Sequence, residues 1–450
     1  MKLHNTLSGQ KEGFRPGGSV VGMYVCGVTP YSDSHLGHAM SYILFDVLRR
    51  YLEYRGYQVR HVQNFTDIDD KIITRANTLG ISIRELADKY IASYFEVMDA
   101  LNIRRAHIYP KATEEVPHII EIVQGLVDKG FAYESEGDVY FRVRRFPTYG
   151  RLSKRSVDDM SPFAEEGPKE DALDFTLWKG AKPEEPSWES PWGPGRPGWH
   201  IECSAMCLNY IGETLDIHGG GQDLVFPHHE NEIAQSECFT GAPFVRYWLH
   251  NGMLQMGQEK MSKSLGNLLT VPEVLARYSA DALRLFVLGS HYRSPLTYSL
   301  DALEAARRGA ERLVGAARGG SRVGRGRGVP GDPYRQRFMD AMDDDFNTPQ
   351  SLAVLFDLAR DINRARDEGQ DTEEGRGTLL EMSGVMGLTL EEARPSLIAE
   401  PFIEALVQVR QELREVKQFS VADQIRSRLT EMGVALEDTP HGTGWKYRRQ

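Results

Sequence analysis

The sequence predicts an α/β fold: a domain built on a parallel sheet, interrupted by an inserted module and followed by an all-α C-terminal region. Two observations predict the parallel sheet. VVGMYVCG (20–27) is apolar and β-branched. It runs through the loop TPYSDSHLGH into AMSYILFDVLRRYLEYRGY, where Ile43, Leu44, Val47, Leu48, Tyr51 and Leu52 recur at helical spacing before Gly56. QVRHVQNF then reads as a second strand and KIITRANTLG as the start of another helix, so strand, loop, helix and strand follow within about fifty residues, the pattern of a βαβ unit. A third observation predicts the helical end: AVLFDLARDINRA and FIEALVQVRQELREV are amphipathic at helical period.

In such sheets ligands bind at the carboxyl ends of the strands, which places the 29–38 loop where chemistry is expected. Residues 135–198 differ in character. They are rich in Pro, Gly and Trp, with short strand-like pieces such as DVYFRV, and read as an inserted module ending in the irregular stretch PSWESPWGPGRPG. A helical region is expected from about Val271 to Ala317. ARGGSRVGRGRGVPGDP (317–333) then carries four arginines, many glycines and no acid before Asp332, the composition of a flexible tether.

Composition narrows the class. A chain of 450 residues accommodates roughly two to four domains. With 41% hydrophobic and 26% charged residues it has ample core. A net charge of -11 argues against a nonspecific polyanion binder, while leaving room for local basic surfaces. No apolar run reaches the eighteen or so residues of a membrane span, and MKLHNTLSGQKEGFRP lacks a signal peptide's apolar core. Four cysteines make no disulfide framework, so a reducing, cytoplasmic setting and no membrane partner are expected.

Four groups of residues carry the chemistry. His35-Leu36-Gly37-His38 sits where a loop becomes a helix. Two imidazoles there can donate to a phosphate, Gly37 allows close approach, and the helix N-terminus favours anions. Lys260 and Lys263, within GQEKMSKSLGN, form a cationic loop suited to charge developing on a leaving pyrophosphate. Cys26, Cys203, His228 and Glu232 have the donor types of a tetrahedral zinc site, and the i, i+4 spacing of His228 and Glu232 puts them on one face of a helix. Buried free cysteine is the competing reading. His229 is the rival nitrogen ligand, while Cys207 and Cys238 read as core. His218, Gly219, Gly220, Gly221 and Asp223 form a compact turn whose carboxylate suits ribose hydroxyls. Asp67, Asp69 and Asp70 read as capping residues at a helix start, not as a metal cluster.

HLGH and KMSKS, about 220 residues apart and both beside α/β segments, resemble the two signature motifs of class I aminoacyl-tRNA synthetases. MYVCG, GWHIECSAM, DIHGGG and FPHHENE together resemble the cysteinyl-tRNA synthetases, as do NFTDIDDKII, GDVYF, SPWGPGRPGWHIECSAM, MDDDFNTP and LEDTPHGTGW, so that the likeness covers almost the whole chain. It implies a Rossmann-like catalytic domain over 1–270 with an insertion at about 120–198 and a stem-contact helical region at 271–316. It further implies a linker at 317–334 and a helical anticodon-binding domain at 335–450. It implies activation of L-cysteine by ATP with Mg2+, then transfer to tRNA(Cys), by a monomer. Zn2+ would be held by Cys26, Cys203, His228 and Glu232. His35, His38, Lys260 and Lys263 would serve catalysis. His35, Gly37, His38, Gly220, Asp223 and Lys263 would bind ATP, Thr66 and Trp199 the amino acid, and Trp445 and Arg448, with Lys446 and Arg449, the RNA. GVTPY with Pro30 resembles equally well the mycothiol-pathway ligase, which passes cysteine to an amino sugar. TDIDDKII and the helical end finishing in HGTGWKYRRQ favour the synthetase.

Overall fold

Four parallel strands form the central sheet of the computed structural model, which describes residues 1–161, 167–183, 185–256, 259–260, 269–318, 328–391, 399–439 and 442–447. In spatial order they are Val245–Asn251, Leu215–Gly221, Val20–Val28 and Gln58–Phe65. Val21 to Cys26 are buried without alternation, as expected where helices cover both faces of a parallel sheet. The chain leaves Val20–Val28 toward Gln58–Phe65 on one side and returns to Leu215–Gly221 on the other. That reversal opens a crevice at the strands' carboxyl ends.

The HLGH segment enters this crevice at the start of the helix Leu36–Tyr54, with His35 as its N-cap. Backbone bonds tie the loop to the far flank of the lysine segment: Leu36 N donates to Leu269 O at 3.0 Å and Val271 N to Ser34 O at 3.0 Å. On the near flank, Gln255 pairs with Lys260 in a short antiparallel ladder. The stretch that follows the lysine segment, at Leu269 and Val271, is thus held beside the HLGH loop. Lys263 lies outside the described residues, as does the side chain of Lys260.

The inserted module is an antiparallel sheet ordered Ala132–Ser135, Asp138–Phe141, Phe175–Gly180, Gly195–Pro197. The helix Val116–Asp128 packs on it through Ile119, Val123 and Leu126. Arg196, on the last of these strands, pairs with Asp70, tying the module to the helix Asp70–Leu79. Asp69 caps that helix through Ile72 N at 2.8 Å, and Asp67 accepts from Thr113 N and Oγ1 at 2.9 and 2.6 Å. The acidic run is structural.

Downstream, helices Val271–Leu275, Ala280–Leu288 and Leu300–Arg318 lead to three more: Asp332–Asp343, Thr348–Asp367 and Glu373–Val385. These last three share the main core through Phe338, Met342, Leu355, Ile362, Leu379 and Met382. Arg284, fully buried, clamps the region: it donates to Asp46 Oδ2 at 2.6 Å, Leu101 O at 3.0 Å and Met386 O at 3.0 Å. Packing divides the chain into Met1–Glu392 and Ala393–Gln450. Val329, within the glycine-rich stretch, is buried in the first unit's core. The second unit has helices Ala399–Glu415 and Phe419–Glu431 and a closing hairpin, Val434–Thr439 with Gly442–Tyr447, around Ile403, Val407, Leu429 and Leu436. Among the described residues no helix is long and apolar enough to cross a membrane.

Candidate active site

Four elements converge at the carboxyl end of the sheet. Cys26 stands near the end of the central strand, and Cys203 lies in the helix Trp199–Tyr210. His228 and His229 close an irregular turn that runs into the helix Glu230–Thr240, which carries Glu232. The ligand atoms of Cys26, Cys203, His228 and Glu232 lie within 4.8 Å of one another. A second set, Cys26, His218, His229 and Glu232, meets the same limit. All six residues are buried.

The donors fit a borderline-soft divalent cation such as zinc. The two sulfurs are 4.0 Å apart; sulfurs each at ~2.3 Å from one tetrahedral ion would stand about 3.8 Å apart. His228 Nε2 lies 3.0 Å from Glu232 Oε1, and Cys26 Sγ lies 3.8 Å from the same oxygen. Burial alone would raise the Glu232 pKa, yet the charges and hydrogen bonds of His218 and His228 outweigh it and hold the carboxyl at about 2. Burial also opposes charge on His228, but Glu232 and then Cys203 raise its pKa to about 10. The hydrogen bond from Cys26 lowers Cys203 to about 6 against its burial. Burial pushes the Cys26 thiol well up. These shifts favour the ionised forms of Cys203 and Glu232 beside a protonated His228.

A second layer holds these groups. His218 Nε2 lies 2.7 Å from Glu232 Oε2, and its ring stacks on Trp248 with centroids 4.5 Å apart. The two residues are partners in the sheet register, which is why the rings meet. His200 Nδ1 lies 2.9 Å from His228 Nδ1. His229 reaches Cys26 Sγ at 3.2 Å with one nitrogen and His250 at 2.8 Å with the other, and His250 in turn meets Thr6 Oγ1 at 2.8 Å. The sequence pattern places His218 in the nucleotide turn and gives His200 and His250 no role. His200, three residues before Cys203 on one helix, carried a usable spacing signal; His250, alone in a strand, carried none.

Through Cys26 the ligand cluster borders a cavity of about 240 Å³ lined also by Gly27, His35, Gly37, His38 and Asp223, among others. The His35 and His38 rings stack at 3.7 Å. Gly27 is required here: a Cβ would fall 1.6 Å from Asn64 O. Gly220 instead packs against His229, where a Cβ would come within 2.9 Å of the ring. Trp199 is 44% exposed and stacks on His228 with centroids 4.4 Å apart. Thr66 is buried and accepts from Asn64 Nδ2 at 3.3 Å. Trp445 packs against the core of the second unit, and Arg448 lies outside the described residues.

Comparisons with known proteins agree with this geometry. Residues 15–308 match the model of the class I (C) tRNA synthetase catalytic domain, and residues 337–391 match the DALR domain. The chain is 57% identical over 456 residues to the cysteine–tRNA ligase of Dehalococcoides mccartyi strain 195, covering 100% of both. It is 50% identical to that of Thioalkalivibrio sulfidiphilus, covering 99% of both. Among solved structures it resembles Mycobacterium tuberculosis methionyl-tRNA synthetase in complex with methionyl-adenylate, with a TM-score of 0.58, 17% identity, and 82% and 90% of the two chains covered. A putative arginyl-tRNA synthetase from Campylobacter jejuni has a TM-score of 0.57 at 13% identity over 84% and 95%. These two likenesses concern the fold.

Proposed function

The chain belongs to the cysteine–tRNA ligases, and from that premise we propose how its residues divide the work of activating cysteine with ATP and passing it to tRNA(Cys). The observation that carries the proposal is the buried cluster of Cys26, Cys203, His228 and Glu232, whose Cys26 borders the cavity that His35 and His38 line. These four residues would hold Zn2+, which when bound favours a thiolate ligand over a hydroxyl and so separates cysteine from serine. Size alone separates such side chains by only about 1–3 kcal/mol.

In the first step the cysteine carboxylate attacks the α-phosphate of Mg2+-bound ATP, giving the adenylate and pyrophosphate. His35 and His38, at the N-terminus of the helix Leu36–Tyr54, contact the triphosphate, where the helix dipole adds to their hydrogen bonds. Lys260 and Lys263 neutralise the leaving pyrophosphate. Gly37 leaves room for the nucleotide, Gly220 shapes the turn beside it, and Asp223 takes the ribose hydroxyls. Trp199 covers the amino-acid side of His228, and Thr66 lies behind the substrate. In the second step a ribose hydroxyl of the tRNA's terminal adenosine attacks the activated carbonyl. Residues 335–450 bind the anticodon region, with Trp445 and Arg448 among the contacts. The chain is taken to act as a monomer. Four free cysteines fit a cytoplasmic setting.

The test is to supply purified protein with cysteine, ATP and either total tRNA or a cysteine-accepting amino sugar. Label in tRNA is expected. Label only in the amino sugar would overturn the proposal.

A further inference from the structure

The motif MDDDFNTP (342–349) has no part in the chemistry above, yet its backbone is strained. Asp345 and Phe346 stand in succession at φ +64° and +50°, the left-handed region that non-glycine residues avoid. Such strain persists only where surrounding contacts over-determine it, and it gathers at sites with a task. Here it bends the chain sharply between the helices Asp332–Asp343 and Thr348–Asp367.

The bend turns the Asp345 carboxylate inward, where it is fully buried. Oδ1 accepts from His4 N at 2.7 Å and from the Tyr292 hydroxyl at 2.8 Å. Oδ2 accepts from Arg293 Nε at 2.9 Å, with the guanidinium's Nη2 also 2.9 Å away. Phe346 meets Tyr51 edge to face, with ring centroids 6.0 Å apart. A turn of the helical region thus grips the side chains of Tyr292 and Arg293.

The gripped segment backs the nucleotide cavity. Gly252 N donates to Tyr292 O at 2.8 Å, and Leu296 N donates to Met253 O at 3.0 Å. The two backbones lie so close that a Cβ on Gly252 would fall 2.3 Å from Ser294 O. Asn251, Gly252, Met253 and Leu254 all line the 240 Å³ cavity. Beyond it, the strand Leu254–Met256 pairs in parallel with Leu296–Tyr298 and antiparallel with Glu259–Lys260, where the lysine segment begins. The metal cluster hangs from other elements: the strand Val20–Val28, the helices Trp199–Tyr210 and Glu230–Thr240, and the turn that leads into the second of them.

We infer that Asp345 is a positioning residue for ATP: through Tyr292 and Arg293 it fixes the floor Gly252–Leu254 of the nucleotide cavity and the strand that leads to the lysines. The inference rests on the reading of this cavity as the ATP site. It makes the region that matches the DALR domain part of the frame for cysteine activation, a step in which tRNA takes no part.

The test compares Asp345→Asn and Tyr292→Phe with the wild type and with Ile362→Val, a core change in the same helical region. The readouts are cysteine-dependent ATP–pyrophosphate exchange, with KM measured separately for ATP and cysteine, and bound zinc. In Asp345→Asn, KM for ATP should rise at least about tenfold, since a misplacement of about 1 Å costs up to about 100-fold. KM for cysteine and zinc content should stay within about twofold, the split that separates a displaced ATP floor from general loosening. Tyr292→Phe, which keeps every charge, should raise KM for ATP by about threefold through one lost hydrogen bond. Ile362→Val should lower the melting temperature and leave both KM values in place. KM for ATP within about twofold of wild type in both site variants overturns the inference. Equal losses on the ATP and cysteine sides overturn it too, as does a like rise in Ile362→Val. If Asp345→Asn does not fold, Tyr292→Phe decides alone. Wild-type protein without cysteine-dependent exchange overturns the reading of the cavity instead.

Discussion

Oε2 of Glu232 stands 2.7 Å from Nε2 of His218, while Oε1 stands 3.0 Å from Nε2 of His228. One carboxylate is thus gripped from behind by a histidine stacked on Trp248 and turned forward to the cluster. On this arrangement His218 supports Glu232 from behind, while Cys26, shared by both sets of donors, borders the cavity. Partners of that kind are worth about 10–100-fold in metal affinity. His218→Ala should therefore weaken metal binding by about that factor in a competition titration, with the far-ultraviolet spectrum unchanged. Loss of metal as complete as that from removing a sulfur would make His218 a ligand.

Cys26→Ser and Cys203→Ser should each lower bound zinc and weaken cysteine activation, because a hydroxyl is a poor ligand for this ion. Metal analysis of dialysed protein, together with the KM for cysteine in pyrophosphate exchange, measures both effects. Full zinc content in both variants would remove the ligand assignment.

Truncation separates the two compact units. Ending the chain after Glu392 should leave a folded protein that keeps exchange and loses most tRNA charging, since the first unit's core is closed without the remainder. Ending it near 335 is a different matter. That cut removes Phe338, Met342, Leu355, Ile362, Leu379 and Met382, all fully buried, at about 1.5–3 kcal/mol each. The total is comparable with the ~5–15 kcal/mol that stabilises a domain. The shorter product should be insoluble or molten; a cooperative melt from it would contradict the shared core.

The terminal hairpin should be sensitive to acid. Hydrogen bonds from Arg410, and then from Thr443, hold the Asp438 carboxyl well below the usual carboxylate range. A depressed folded-state value stabilises fully above the unfolded carboxyl's pKa, near 4, and the benefit is lost as pH falls below it. Wild type should resist urea better than Asp438→Asn at pH 6, followed by the methyl signals of Val434 and Leu436, and the gap should narrow progressively as pH falls below about 4. A gap independent of pH would assign the effect to packing.

Much of this was legible in the sequence because it is local. The apolar run ending at Cys26, the helix after HLGH and the i, i+4 pair His228 and Glu232 all announce themselves within a few residues. The supporting histidines do not. His218 and His250 occupy neighbouring strands, and only the sheet register brings them against Glu232 and His229. Glu230 looks like any helix-surface acid until the turn at Gly150 closes over it. Composition correctly marks 317–333 as glycine-rich, but it cannot report that Val329 and Phe338 lie in the core of the first unit. The pairing of Leu436 with Trp445 across the closing hairpin is likewise a relation between segments, invisible to periodicity.

Cys26 and Gly27 are consecutive residues of one strand, the first turned to the cluster and the second admitting the neighbouring chain at the cavity's edge. Consecutive α-carbons are ~3.8 Å apart and a sheet strand does not stretch. On the proposed reading, the span between the cluster that would take the sulfur and the cavity that would take the phosphates is accordingly a fixed gauge. Such a gauge would reject on length as well as on element: serine carries the wrong atom, while a thiol one methylene longer would carry the right atom and deliver its carboxylate to the wrong point.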